Sequence, residues 1–291
     1  MTYICNAALS SGVFPDRLKY AIVKPIFKKG SEQAISNYRP ISLLTSFSKV
    51  FEKLIYNRLY THIETNNILV QEKFGFRVQH STEHAAFSLI NSILMAVNNN
   101  QIFGGIFCDI QKSFDCVNDK ILLEKLQFYG IYGKFKALIE SYLTNRYQIL
   151  TLIKIDYNTN SSKWVRINCG VPQGSILGPL FFLIYVNDLP TIINKDNNIV
   201  VFADDISIII TDTNRDNFNL HANMLFNNIN TWFNNKLLNL NFSKTHYLEF
   251  GSIKHCNVNM QIQHNHNHIA DTSETKFLGL IIDDTIVETT Y

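Results

Sequence analysis

From Asn198 to Thr211 the chain is almost wholly apolar, and two adjacent acids, Asp204 and Asp205, interrupt it near its middle. A run of this length reads as two buried strands. Adjacent acids are tolerable in it only where the chain reverses, so a β-hairpin with both carboxylates at its turn is expected. Paired carboxylates in an apolar setting are costly unless they bind cations. A third acid has a similar context. Asp109 ends the apolar stretch Gln101–Ile110, and Phe114 follows five residues later. Taken alone, Asp109 reads as a strand-end or helix-capping residue, and the pair reads as an ordinary hairpin turn. Taken together, the three acids could share two Mg²⁺ ions, hard cations that favour carboxylate oxygen. Two such ions stabilise the attacking and leaving oxygens of a phosphoryl transfer.

The remaining pattern alternates helices with short strands. Residues 1–40 are expected to be irregular, because Pro15, Pro25 and Pro40 break any long helix. Helical spacing predicts helices over Thr45–Asn66, Thr82–Val97 (capped by Ser81 or Thr82), Asn118–Phe128, Lys134–Thr144, Leu177–Asn187 and His221–Lys236. Strands are predicted at Gln101–Ile110, Gln148–Ile155, Lys163–Cys169, Thr245–Gly251 and Lys276–Asp283, with a turn at Asn158–Ser162. Acid-tipped strands surrounded by helices imply an α+β fold.

Of the 291 residues 46% are hydrophobic and 17% charged, enough apolar surface for a substantial core, and the 12% aromatic share favours strands. The net charge of +2 does not announce a polyanion binder. Its distribution is more telling: Lys19, Lys24, Lys28, Lys29, Arg39, Lys49, Lys53, Arg58, Lys73 and Arg77 all lie early, and compact acid pairs lie later. A basic half facing an acidic site suits a polyanion held over metal, although an ordinary solvated surface has the same composition. The five cysteines show no CxxC spacing, which points to a reduced, intracellular protein without a zinc cluster. No signal peptide is visible, and the apolar run near Leu180–Val186 is too short to span a bilayer. The alternating His264, His266 and His268 read as a polar loop rather than a metal site.

Seven blocks carry a family resemblance: AIVKPIFKKGSEQAISNYRPISLL, FGFRVQHST, FCDIQKSFDCV, CGVPQGSILGPLFFLIYVNDL, VFADD, WFNNKLLNLNFSKT and KFLGLIID. In this order they resemble the reverse transcriptase of non-LTR retrotransposons of the jockey-like kind, over nearly the whole chain. The resemblance implies a right-hand polymerase fold with an antiparallel palm sheet. Residues 1–100 would form the fingers and an N-terminal extension. Residues 101–291 would form the palm, with a fingers insertion around 118–175, ending at the primer grip. The family's endonuclease and thumb would be missing from this stretch.

The resemblance also implies roles. Asp109, Ile110, Asp204 and Asp205 would form the metal-binding set for two Mg²⁺ ions, with Mn²⁺ an alternative, and Asp204 would be the steadier ligand of its pair. Phe114 would be the steric gate beneath the sugar, against the alternative of a core Phe. Lys28, Lys29 and Arg39 would grip the triphosphate. Gln173 and Gly174 would lie beside the incoming base, Lys244 would protonate the pyrophosphate leaving group, and Phe277, Leu278 and Gly279 would begin the primer grip. Ser113 stands where the family usually has Ala, and Ile206 where Thr is frequent. The implied partners are an RNA template, a DNA primer and dNTPs, with no membrane and no stable protein partner, in nucleus and cytoplasm. The competing readings are a group II intron-type maturase, an RNA-dependent RNA polymerase, against which Phe114 argues, and a non-catalytic nucleic-acid-binding remnant.

Overall fold

A computed structural model describes residues 2–153, 159–193, 197–250, 262–264 and 267–284. In chain order the elements are α1 (Thr2–Ser11), β1 (Tyr20–Phe27), β2 (Tyr38–Leu43), α2 (Ser46–Thr65), α3 (Thr82–Asn98), β3 (Ile102–Gln111), α4 (Asp119–Phe128) and α5 (Gly133–Leu143). They continue with β4 (Arg146–Ile153), β5 (Thr159–Ser161), β6 (Val165–Ile167), α6 (Leu177–Tyr185), β7 (Asn198–Phe202), β8 (Asp205–Asp212), α7 (Arg215–Asn235), β9 (Asn239–Leu240) and β10 (His246–Glu249). The last are β11 (Gln263–His264), β12 (Asn267–His268), β13 (Ala270–Asp271), β14 (Glu274–Phe277) and β15 (Leu280–Asp283). The chain is therefore α+β, with two compact units: Met1–Leu69 with Phe114–Tyr185, and Val70–Ser113 with Val186–Tyr291. Residues 70–100 belong to the second unit, because α3 packs on β7, β8 and β3.

In the first unit, β2, β1, β4 and β5 lie side by side, with β6 also on β4. The expectation of an irregular N-terminal forty residues is corrected here: the segment contains α1, β1 and the first half of β2. Pro25 and Pro40 do not break the ladder, because they face each other across the β1–β2 pair. Pro25 also lies beyond the stretch Tyr20–Val23 that pairs with β4, so its missing N–H is not needed there. Beside the sheet, α2 packs on α6, and α4 on α5 and α6. Glu52 of α2 is fully buried. It accepts hydrogen bonds from Tyr142 Oη at 2.9 Å and from the Ile176 N–H at 2.7 Å, tying α2 to α5 and to the start of α6. Burial raises the proton affinity of this carboxyl, and the two donors oppose that shift.

Asp119, in the first turn of α4, is half-buried, and its Oδ1 has no hydrogen-bond partner among the described residues. Burial pushes its pKa up to about 6 from the usual 3.8, with the Arg146 charge opposing. Between these values the folded chain holds a proton that the unfolded chain has lost, so this group's contribution to stability falls as pH rises through that window. Asp119→Asn is expected to remove that fall. Urea midpoints at about pH 4 and about pH 7 should then shift relative to each other in favour of pH 7, compared with the parent. The same pH dependence in both proteins would contradict the assignment.

In the second unit the strand order is β13-β10-β3-β8-β7, with β9 pairing the far end of β3. β3 and β8 are antiparallel in a register running from Ile102 opposite Asp212 to Asp109 opposite Asp205. Side chains alternate across this pair. Phe103, Phe107 and Ile209 join Ala85, Leu89, Ile93 and Ala96 of α3 in one core cluster, while α7 also packs on β3 and β8. Buried side chains of this kind contribute about 1.5–3 kcal/mol each relative to exposure. Ser81 caps α3 by accepting the His84 N–H. The helix α7 begins at Arg215, earlier than the expected His221, because Asn214 accepts the N–H groups of Asp216 and Asn217. Strand β6 is shorter than the expected Lys163–Cys169, and α6 ends at Tyr185 rather than Asn187.

Among the described residues, Cys5, Cys108, Cys116 and Cys169 form no disulfide. Among the described residues, no helix is long and apolar enough to cross a membrane. In the histidine tract β11 pairs with β12, while His266, Cys256 and part of the expected turn at Asn158–Ser162 lie outside the described residues.

Candidate active site

The hairpin expected around Asp204–Asp205 is β7–β8. Phe202 pairs with Asp205, leaving Ala203 and Asp204 as a two-residue turn. Ala203 has φ +56°, a left-handed conformation that disfavours an L-residue by about 1–2 kcal/mol. Positive φ at the first turn residue is the type II′ arrangement, where Gly is the relaxed choice. Because Asp109 and Asp205 are directly opposite in the register, their side chains leave the same face of the sheet. Asp204 extends from the adjoining turn, where Ser113 Oγ donates to its Oδ2 at 3.4 Å. Three sequence-predicted acids thus meet at one end of one strand pair.

The turn is buttressed from the side. The Phe74 N–H donates to the Val201 carbonyl and the Val201 N–H to the Glu72 carbonyl, each at 2.9 Å, so residues 72–74 run along β7. Gly75 then meets the turn: a Cβ built there would lie 2.2 Å from Ala203 N and 2.9 Å from Ala203 Cα. Nothing within the block FGFRVQHST itself singles out its glycine.

Asp109 is held by the loop after β9. Asn241 Nδ2 donates to Asp109 Oδ2 at 2.8 Å, and Lys244 Nζ lies 3.3 Å from the same oxygen. The Asn241 N–H donates to the Asp109 carbonyl at 2.8 Å, and the Asp109 N–H donates to Thr245 Oγ1 at 3.3 Å. The Asp109 side chain is 30% exposed and that of Lys244 59%. The buried side chain of Ile110 is a hydrocarbon, so only the carbonyl oxygen of this residue could be a ligand.

Among the described residues no three His, Cys, Asp or Glu side chains form a group able to hold a metal ion alone. Mg²⁺ does not require such a group. It retains several waters and is bound by one or two carboxylates plus substrate phosphates rather than by an all-protein cage. Carboxylates at the ends of adjacent strands fit that mode.

Other sequence-predicted residues converge within the first unit. The β1–β2 hairpin brings Lys28 and Lys29 near Arg39, which pairs with Ile26, and all three are exposed. The Lys28 N–H donates to the Asn37 carbonyl at 2.9 Å. The same hairpin reaches the glycine-rich loop: the Ser42 N–H donates to the Gln173 carbonyl at 2.8 Å. A Cβ on Gly174, at φ +111°, would lie 3.0 Å from the Ser42 carbonyl oxygen. Gln173 Nε2 donates to Asp115 Oδ1 at 3.3 Å. The Phe114 carbonyl accepts the Val171 N–H at 2.9 Å, and the Phe114 ring, itself half-buried, stacks on Phe182 with centroids 5.3 Å apart. Phe182, fully buried in α6, was not among the expected site residues.

The candidate primer-grip residues form the β14–β15 hairpin. Leu278 and Gly279 are its two-residue turn, both with positive φ as a type I′ turn requires. Phe277 is buried in the α3-side core and Leu278 packs half-buried against it, so within the turn it is Gly279 that is exposed. Thr275 of this hairpin meets His246 Nε2 of β10 at 2.6 Å.

Comparison with known proteins gives the family and the fold. Residues 26–282 match the family described as reverse transcriptase (RNA-dependent DNA polymerase). The chain is 32% identical over 212 residues to "Probable RNA-directed DNA polymerase from transposon X-element" of Drosophila melanogaster, covering 72% of this chain and 23% of that protein. It is 30% identical over 291 residues to "RNA-directed DNA polymerase from mobile element jockey" of Drosophila funebris, covering 97% of this chain and 31% of that protein. The chain thus spans less than a third of the length of either relative. In fold it is similar to a truncated apo telomerase from Candida tropicalis, with TM-score 0.59 at 13% identity, over 94% of this chain and 55% of that one. Telomerase from Candida albicans, solved with a fragment of telomeric RNA, gives TM-score 0.59 at 13% identity over 98% of this chain and 49% of that one. With its acid-tipped strand pair and a family match over most of its length, the chain belongs to the reverse transcriptase (RNA-dependent DNA polymerase) family.

Proposed function

We propose that the chain is the fingers-and-palm part of an RNA-directed DNA polymerase of a non-LTR retrotransposon, transferring a nucleotide from a dNTP to a primer 3′-hydroxyl on an RNA template. The observation that carries this reading is the register pairing of Asp109 with Asp205 beside a two-residue turn containing Asp204. On this reading the first compact unit is the fingers and the second the palm. The four free cysteines support a reducing, intracellular setting in nucleus and cytoplasm.

Asp109 and Asp204 would hold two Mg²⁺ ions, or Mn²⁺, with Asp205 and the Ile110 carbonyl assisting. When bound, the ions would neutralise charge on the reacting phosphate and on the attacking and leaving oxygens. The residues of the chain do the rest. Lys28, Lys29 and Arg39 grip the triphosphate. Gln173 and Gly174 support the incoming base, and the Gly174 backbone approaches closely because no side chain intervenes. The turn Leu278–Gly279 steadies the primer. Lys244 neutralises Asp109 through a contact that, at this exposure, is worth only about 0–1 kcal/mol. So weak a contact exchanges readily, leaving Lys244 available to give a proton to the leaving pyrophosphate.

Phe114, packed on Phe182, is the wall that leaves no room for a 2′-hydroxyl. Phe114→Val is expected to raise ribonucleotide use relative to deoxynucleotide use by about tenfold or more in single-nucleotide incorporation. Unchanged discrimination would reassign the ring to the core. The function as a whole is tested by adding dNTPs and Mg²⁺ to the chain with a DNA primer annealed to RNA. Extension of the primer is the expected result. No extension by this chain, and none by a fusion carrying the C-terminal remainder of a jockey-type polymerase, would overturn the reading.

A further inference from the structure

The loop that follows β9 contains a residue to which neither the motif pattern nor the polymerase reading assigned a task. Asn241 is 9% exposed and makes five hydrogen bonds, one of them directly to the Asp109 carboxylate. Its N–H donates to the Asp109 carbonyl at 2.8 Å, and its Nδ2 donates to Asp109 Oδ2 at 2.8 Å. Its carbonyl accepts the N–H groups of Lys244 at 3.0 Å and Thr245 at 2.8 Å. Its Oδ1 accepts from Ser243 Oγ at 2.8 Å.

These contacts determine which way the amide points. Turned over, it would set Oδ1 against the Asp109 carboxylate, two acceptors face to face. In the observed orientation the NH₂ group meets the carboxylate and the hydroxyl of Ser243 satisfies the oxygen. Asp109 Oδ2 is then engaged by a buried neutral donor and by Lys244. Its Oδ1 accepts no hydrogen bond from any described residue. A carboxylate pinned by one oxygen presents the other in a single direction.

We propose that Asn241 is a positioning residue for Asp109: it anchors Oδ2 so that Oδ1 faces the metal. The proposal rests on the two-metal reading above. Groups that orient a metal ligand from behind typically change metal affinity by about 10–100-fold when removed. Lys244 is not a substitute for Asn241, because its charge opposes a metal at the same carboxylate, whereas the amide adds no charge.

The test is Mn²⁺ binding to the full chain, followed by electron paramagnetic resonance without nucleotide, so that the readout does not depend on turnover. Asp109→Asn and Asp204→Asn define the carboxylate-dependent site. Asn241→Ala is expected to weaken Mn²⁺ there about tenfold or more and to raise the Mg²⁺ concentration needed for half-maximal incorporation, with the dNTP KM little changed. Ser243→Ala, at an exposed position where folding is not at risk, should weaken Mn²⁺ in the same direction but less. Unchanged Mn²⁺ binding in every folded variant of Asn241 and Ser243, with binding lost in Asp109→Asn, overturns this proposal alone. Binding unchanged in Asp109→Asn and Asp204→Asn as well would overturn the two-metal reading, and the proposal would fall with it.

Discussion

Asp109→Asn and Asp204→Asn are each expected to reduce nucleotide incorporation on the order of 10³-fold or more, while the protein stays folded. Either change keeps the shape of the side chain and removes the charge that a divalent cation requires. Phosphoryl transfer depends almost entirely on positioning and on neutralising charge in the transition state, so the loss falls on the chemical step rather than on binding of the primer–template. Asp204 is the more direct test. Among the described residues its one hydrogen bond comes from Ser113 Oγ, and the asparagine's carbonyl oxygen can still accept it. At Asp109 the asparagine can still accept from Asn241 and Lys244 through its carbonyl oxygen. Single-turnover incorporation at saturating dNTP reads the effect. Incorporation within about tenfold of the parent, for either variant, would remove that acid from the metal site.

Gly75→Ala should have the second large effect. The methyl group would lie 2.2 Å from a backbone nitrogen and 3.0 Å from the Phe202 carbonyl carbon, atoms that cannot rotate aside as a side chain can. Either residues 72–75 leave β7 or the Ala203–Asp204 turn shifts. Overpacking of this kind costs about 1–3 kcal/mol, and displacing a catalytic group by about 1 Å can cost on the order of 10²-fold in rate. The expectation is a lower unfolding midpoint together with a loss of incorporation larger than the unfolded fraction explains. Ala203→Gly in the same chain relaxes the positive-φ turn and should restore part of the activity. Full activity in Gly75→Ala would show that the turn is not buttressed there.

How much of this could be read from the sequence depends on the kind of contact. The strands carrying the acids were legible because charge inside an apolar run has few possible places; the register that sets Asp109 opposite Asp205 was not, because it is fixed by pairing between segments distant in sequence. The cap at Ser81 was legible because it is local. The strands β1 and β2 were not legible, because Pro25 and Pro40 normally argue against a ladder. Only their mutual pairing, at a place where neither must donate, makes them acceptable. The start of α7 was hidden by the polar stretch RDNFNLHAN, in which only Phe218 and Ala222 are buried at the helical spacing that continues to Leu225. Within the site, residues that act alone could be named from the motifs. Those that act through a partner could not: Asn241 meets Asp109 across 132 positions, and Gly75 matters only because Ala203 lies against it. The stack of Phe182 on Phe114 is hidden in the same way, inside a helix whose every apolar residue looks like core.

The proposal that this chain copies RNA into DNA with the carboxylates at the β3–β8 end underlies each of these expectations. It is tested most directly with four RNA templates that differ only in the first unpaired base, each annealed to the same DNA primer and offered one nucleotide at a time with Mg²⁺. The account predicts that each template directs addition of its complementary dNTP, that the matching ribonucleotide is added far less, and that Asp204→Asn adds none. Addition indifferent to the template base, preference for ribonucleotides, or full addition by Asp204→Asn would contradict it.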